Sequence, residues 1–122
     1  MSLIGETTGK PVGEIIKDTT DASFIADVIE ASKTQPVIVD FWAPWCGPCR
    51  QMAPAYEQAA AQLEPNVRLV KVDTEAVPAL GSRFNIRSIP TLALFKGGRE
   101  IARQPGAMGV ADIVRWVRSH AG

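Results

Sequence analysis

This 122-residue chain has little of what charge-driven or metal-based recognition needs. Its 13 basic and 13 acidic side chains cancel and no basic run appears, so no net field draws it to nucleic acid or to an anionic membrane. It has one histidine, His120, and two cysteines, fewer than the roughly four ligands of a structural zinc site, so a metal would have to be shared between subunits. Two cysteines also make no framework of the kind that staples small secreted domains. No apolar stretch approaches the ~20 residues that cross a bilayer. No basic region followed by a hydrophobic segment opens the chain, so the expectation is a soluble, cytoplasmic protein that is not exported. At this length one domain buries roughly two-thirds of its unfolded surface, enough for a core without cross-links. The thiols are thereby left free for chemistry.

Both cysteines fall in Trp45-Cys46-Gly47-Pro48-Cys49. Upstream, Pro36 to Trp42 is apolar and β-branched, and downstream Gln51 to Leu63 carries helix formers, so the pair sits at a strand-to-helix turn. The first N–H groups of a helix lack partners and its dipole is positive there, which stabilises a thiolate on Cys46 and lowers its pKa. Residues three apart on a helix lie about 5–6 Å apart at Cβ, so a small adjustment joins Cys46 to Cys49 or releases it. Pro48 suits the first helical turn, where its missing N–H would be unpaired anyway, and Gly47 admits a close backbone approach. A structural disulfide is the duller alternative, yet a cross-link closing so short a loop removes little chain entropy.

Along the chain, residues 1–13 read as a flexible lead-in or linker remnant and 14–122 as the domain. Glu14 to Asp18 is expected to form an edge strand, and Asp21 to Ser32 a helix whose Phe24, Ile25, Val28 and Ile29 face the core. Val37 to Trp42 suits a central strand covered on both faces, and Pro54 falls inside the helix that follows. Val67 to Val72 is a strand, Ala76 to Ser82 a short helix admitting Pro78, and Thr91 to Phe95 a strand after Pro90. Gly97-Gly98 turns into a strand at Glu100 to Arg103, and Val110 to Ser119 is a last helix with Ile113, Val114 and Val117 inward. This alternation argues for an α/β architecture, a mixed sheet with helices on both faces. Asp40, a carboxylate within the buried-looking strand, should have a raised pKa and can accept a proton from a nearby thiol.

The segment Asp40 to Arg50 resembles the active-site stretch of the thioredoxin family, and Ile86-Arg87-Ser88-Ile89-Pro90-Thr91 resembles the segment that faces it. The likeness continues through Lys71-Val72-Asp73, Phe95-Lys96-Gly97-Gly98 and Gly106-Ala107. Thr74-Glu75-Ala76 and Arg83 to Ser88 look most like the thioredoxin-2 branch, which usually carries an N-terminal zinc module with two further CxxC pairs that are not present here. The resemblance implies a thioredoxin fold, a central mixed five-stranded sheet flanked by four helices. It implies a protein-disulfide reductase in which Cys46 attacks and Cys49 resolves, Asp40 helps deprotonate Cys49, and Lys71 lies close to that acid. It implies that Pro90 is cis and that Trp45, Gly47, Pro48, Ile89, Pro90 and Gly106 border a shallow groove for an extended client segment. No cofactor is expected on the chain itself. Reducing equivalents would come from NADPH through a thioredoxin reductase, and the chain would act as a monomer on disulfide-containing clients. A binding module, serving as a chaperone or complex subunit with redox cycling dispensable, is the other reading.

Overall fold

The computed structural model describes residues 16–121, so the expected lead-in lies outside the described residues. The chain forms β1 (Lys17–Asp18), α1 (Ile25–Glu30, of π type, running directly into a 3-10 turn at Ala31–Lys33), β2 (Val37–Trp42) and α2 (Gly47–Leu63). Then follow β3 (Arg68–Asp73), α3 (Pro78–Arg83), β4 (Thr91–Lys96), β5 (Arg99–Pro105) and α4 (Val110–Ala121). The sheet order is β1-β3-β2-β4-β5. Strands β1 and β2 pair parallel to β3, whereas β4 is antiparallel to both β2 and β5. This is the thioredoxin fold, a mixed five-stranded sheet with four helices.

Strand β2 is central, so its near-continuous apolar run packs both ways. Alternation of side chains sends Ile38, Asp40 and Trp42 to one face and Val37, Val39 and Phe41 to the other. On the first face Ile38, Leu69, Leu92 and Leu94 meet Met52, Tyr56 and Leu63 of α2 and Ile113, Val114 and Val117 of α4. On the second, Val39, Phe41, Val70, Val72 and Phe95 meet Phe24 and Val28 of the first helical segment and Leu80 of α3. Phe84 fills that side, packing at ring-centroid distances of 5.3 Å from Phe24 and 5.4 Å from Phe95. The active-site helix is thus laid along the face that carries Asp40.

Several boundaries differ from the sequence expectation. The first helix begins at Ile25 rather than Asp21, because Thr19, Thr20 and Ser23 spend their hydroxyls on a polar cluster before it. Ile25 is 48% exposed and not part of the core, since the wide π-type turn points its side chain outward while Phe24 and Val28 go in. Strand β5 extends from Arg99 to Pro105, beyond Glu100 to Arg103, because antiparallel pairing with β4 continues to Thr91. Of the expected first strand only Lys17 and Asp18 are paired among the described residues.

The edge strand is fastened to α1 by Asp27. Its carboxylate accepts from Lys17 Nζ and from the Thr19 hydroxyl, each at 2.9 Å. Burial is the largest single influence on this group and favours its neutral form, but Lys17, Ser23 and Thr19 together outweigh it and hold the pKa below the ordinary value. A lowered folded pKa means stability present above the unfolded pKa of about 3.9 and lost as pH falls through the folded one. Asp27→Asn is expected to cost about 1–2 kcal/mol in urea melts at pH 7. That difference should shrink in melts run below about pH 3.9.

Candidate active site

Strand β2 delivers the chain to a turn at Ala43 to Trp45, and Cys46 caps α2. Its backbone is extended (φ −83°, ψ 111°), its carbonyl accepts from Arg50 N at 3.1 Å, and its Sγ accepts from Cys49 N at 3.2 Å. A sulfur therefore occupies the place where serine or aspartate oxygens usually satisfy the first free N–H groups of a helix. Negative charge on that sulfur is favoured by the same donor and by the helix dipole. Pro48 stands in the first turn, with no N–H to leave unpaired. The two cysteines are joined as a disulfide with Cα atoms 5.2 Å apart, within the reach that their spacing implied.

Both sulfurs are recessed, Cys46 being 4% and Cys49 2% exposed, and they pack with Ala43 against Trp42 and Ile89. The Ile89–Pro90 bond is cis, and the Ile89 carbonyl oxygen lies 3.8 Å from Cys46 Sγ. Trp45, the residue before Cys46, is 65% exposed. Gly106 donates its N–H to the Pro90 carbonyl at 2.9 Å and has φ +96°, a conformation that disfavours any residue with a Cβ. Nothing lies within 4 Å of where a Cβ on Gly47 would be, so this flank is open. Beyond Ile89 the surface dips into a cleft of about 210 Å³ lined by Thr74, Gly81, Ile86, Arg87, Ser88 and Ile89. Cys46 and Cys49 are thus brought against Ile89, and Gly106 against Pro90, while Trp45, Gly47 and Pro48 adjoin Cys46 in the chain.

Asp40 shares a face of β2 with Trp42, which packs against the cysteines. The acid is 1% exposed, and neither carboxylate oxygen has a hydrogen-bond partner among the described residues. Loss of hydration raises its pKa from 3.8 to about 7, with the Lys71 charge opposing the rise. Lys71 is the register neighbour of Asp40 across the β2–β3 ladder, and its ammonium lies 4.2 Å from the centre of the Trp42 ring. The lysine is therefore neighbour to the acid without being hydrogen-bonded to it. Trp42 bears a second buried orphan, its indole Nε1. Sequence reasoning did not single out Tyr56, which is fully buried on the same face; a lone tyrosine in phase with Cys49 and Met52 was the available signal. Among the described residues no cluster of three or more His, Cys, Asp or Glu is placed to hold a metal ion.

Comparison with known proteins agrees with this geometry. The family profile described as Thioredoxin matches residues 15–119. Thioredoxin 1 of Nostoc sp. is 43% identical over 101 residues, spanning 83% of this chain and 92% of that protein. A thioredoxin of Synechocystis sp. is 48% identical over 89 residues, 73% of this chain and 81% of its own length. The bifunctional thioredoxin reductase/thioredoxin of Mycobacterium leprae is 43% identical over 109 residues, 89% of this chain but 23% of that larger protein.

The unpartnered acid has a measurable cost. A carboxyl whose folded pKa stands near 7 contributes no penalty below the unfolded value, and the penalty accumulates as pH rises to the folded value. Asp40→Ala should therefore match the parent protein in stability near pH 4 and exceed it by about 2–4 kcal/mol at pH 8 in paired denaturant melts.

Proposed function

The chain belongs to the thioredoxin family, and we propose that it works as a reductant of protein disulfides in the cytoplasm, recharged from NADPH by a thioredoxin reductase. It is a thiol–disulfide oxidoreductase. The observation that carries the proposal is the capped, recessed Cys46–Cys49 pair, which follows a strand holding a buried acid whose pKa is near neutrality. Gly47-Pro48 between the cysteines supports the reducing direction, since related oxidants and isomerases commonly place a histidine there. A relative whose own name joins a thioredoxin to a thioredoxin reductase supports that kind of electron donor.

The exchange balances in two displacements. Cys46 thiolate attacks one sulfur of a client disulfide; the client S–S bond breaks, a mixed disulfide forms, and the displaced client thiolate takes a proton. Asp40, ionised near neutral pH, accepts the proton of Cys49, and the resulting thiolate attacks the Cys46 sulfur. The second client sulfur leaves as a thiolate and is protonated. The client gains two electrons and two protons, and the chain becomes the Cys46–Cys49 disulfide. Lys71 tempers the acid by its charge. Trp45, Gly47, Pro48, Ile89, Pro90 and Gly106 form the seat for an extended client segment, in which apolar contact at Trp45 and backbone pairing beside Ile89 hold the disulfide against Cys46. No group bound to the chain is needed for these steps, and the chain acts as a monomer serving electron transport and redox balance. Thr74-Glu75-Ala76 and Arg83 to Ser88 support a finer placement on the thioredoxin-2 branch.

The test pairs two variants in a disulfide-reduction assay driven by NADPH and thioredoxin reductase. Cys46→Ser is expected to fall to background, and Cys49→Ser to accumulate a covalent client adduct that dithiothreitol releases. Retained activity in either variant would contradict the exchange. Unchanged client binding with no turnover in the parent protein would make the chain a binding module instead. Trp45→Ala should raise KM about 5- to 20-fold with little change in kcat, consistent with loss of an exposed aromatic contact.

A further inference from the structure

The stretch that brings Ile89 to the cysteines, residues 86–90, has no helix or strand of its own. Its Arg87, Ser88 and Ile89 N–H groups make no hydrogen bond among the described residues. Ile86 and Ile89 are only partly buried, and the cleft of about 210 Å³ opens beside them. Where the stretch stands is therefore decided largely at its ends. Its start is tied along the chain to α3, by Phe84 N–H to the Leu80 carbonyl and Ile86 N–H to that of Gly81. Both ends are also tied sideways to β5. At the far end the Gly106 N–H donates to the Pro90 carbonyl at 2.9 Å. At the near end the Arg103 guanidinium donates from Nη2 to the Phe84 carbonyl at 2.7 Å and, more loosely, from Nη1 to that of Asn85 at 3.4 Å.

The strand is shaped to aim this side chain. Arg103 pairs with Ala93 and Glu100 with Phe95, and those two partners share the face of β4 against which Phe84 packs. Residues three apart in a regular strand would point to opposite faces. A bulge opposite Leu94 and Phe95 takes Ile101 out of the register and so brings Glu100 to the same face as Arg103. The Glu100 carboxylate then accepts from Arg103 Nε at 2.7 Å and from Nη2 at 2.8 Å. This two-point pair fixes the plane of the guanidinium and leaves N–H groups over for the carbonyls. Those carbonyls flank and include Asn85, whose φ of +55° is left-handed and costly for a residue with a Cβ. One cation thus holds the turn from which the cysteine-facing stretch departs.

We propose that Arg103, aimed by Glu100, is a positioning residue for client recognition: it fixes the start of the stretch 86–90 and thereby the backbone that an extended client segment pairs with. The inference rests on the exchange reading of Cys46–Cys49 and adds to it a determinant of which disulfides react well. A client that needs the stretch depends on Arg103, and a disulfide too small to reach it does not.

The test compares two disulfides with the dithiothreitol-reduced protein, freed of reductant: insulin as the protein client and 2-hydroxyethyl disulfide as the small one. Arg103→Ala is expected to slow the reaction with insulin about 5- to 10-fold and to leave the small disulfide within about twofold. Glu100→Gln, which keeps the cation but loosens its aim, should slow insulin about 2- to 3-fold. Backbone ¹⁵N order parameters at Arg87, Ser88 and Ile89 should fall in both variants while those of β4 hold. A merely structural Arg103 would lower the melting temperature and leave the ratio of the two rates at the parent value, which would overturn the proposal. A proportionate fall in both rates would overturn it too, by placing the effect on the cysteines. Faster insulin reduction in Glu100→Gln would make Arg103 a direct client contact, a third contrary result. A parent protein that reacts with neither disulfide would refute the exchange reading itself.

Discussion

Asp40 sits where hydration cannot reach it, in the central strand of a sheet covered by helices on both faces, and none of its neighbours hydrogen-bonds to its oxygens. An ionised carboxylate there is costly, and the energy scale set by a pKa near 7 is about 4 kcal/mol, a sizeable part of the roughly 5–15 kcal/mol that holds a typical domain together. The two apolar layers on either side of β2 offset it. Because they do, the acid can remain half-charged at neutral pH in the strand that leads to the cysteine turn. A polar or solvated strand would bring Asp40 back to an ordinary carboxylate.

The same helix serves both ends of the site. At its N-terminus, unpaired N–H groups and the dipole favour charge on Cys46, and the Cys49 amide already points at that sulfur. Two turns on, Tyr56 grips the strands. Between them, Pro54 supplies no N–H, which leaves the Arg50 carbonyl without its helical donor. The first turn, carrying the cysteines, is thereby joined less firmly to the body of the helix than the second. Beside the sulfurs, Ile89 offers both its side chain and its carbonyl oxygen.

Much of this was legible in the residues. Val37–Trp42 is a strand with the bounds its apolar run suggested, because a central strand has no polar face to blur its ends. The cysteine pair, Pro48 and the acid at 40 declared a strand-to-helix redox turn through spacing and residue type alone. Legibility failed where side chains compete with the backbone: the Thr19, Thr20 and Ser23 hydroxyls delay the first helix, and a π-type turn moves Ile25 to the surface although its spacing fits a core face. The cis bond at Glu64–Pro65 had no signal in the sequence. Tyr56 was hidden for a different reason. A tyrosine in the apolar phase of a helix reads as packing, and its hydroxyl acquires meaning only when two strands that are distant in sequence place the Ile38 and Val70 carbonyls beside it.

The central claim is that Cys46 and Cys49 form a reducing pair in reversible exchange with client disulfides. The equilibrium reduction potential of that pair, titrated against a dithiothreitol couple and read by thiol-trapping mass spectrometry, tests it most directly. A value near the ~−270 mV typical of thioredoxin is the predicted result. A value near the ~−120 mV of a strong disulfide donor would contradict the assignment, making the chain an oxidant of its partners.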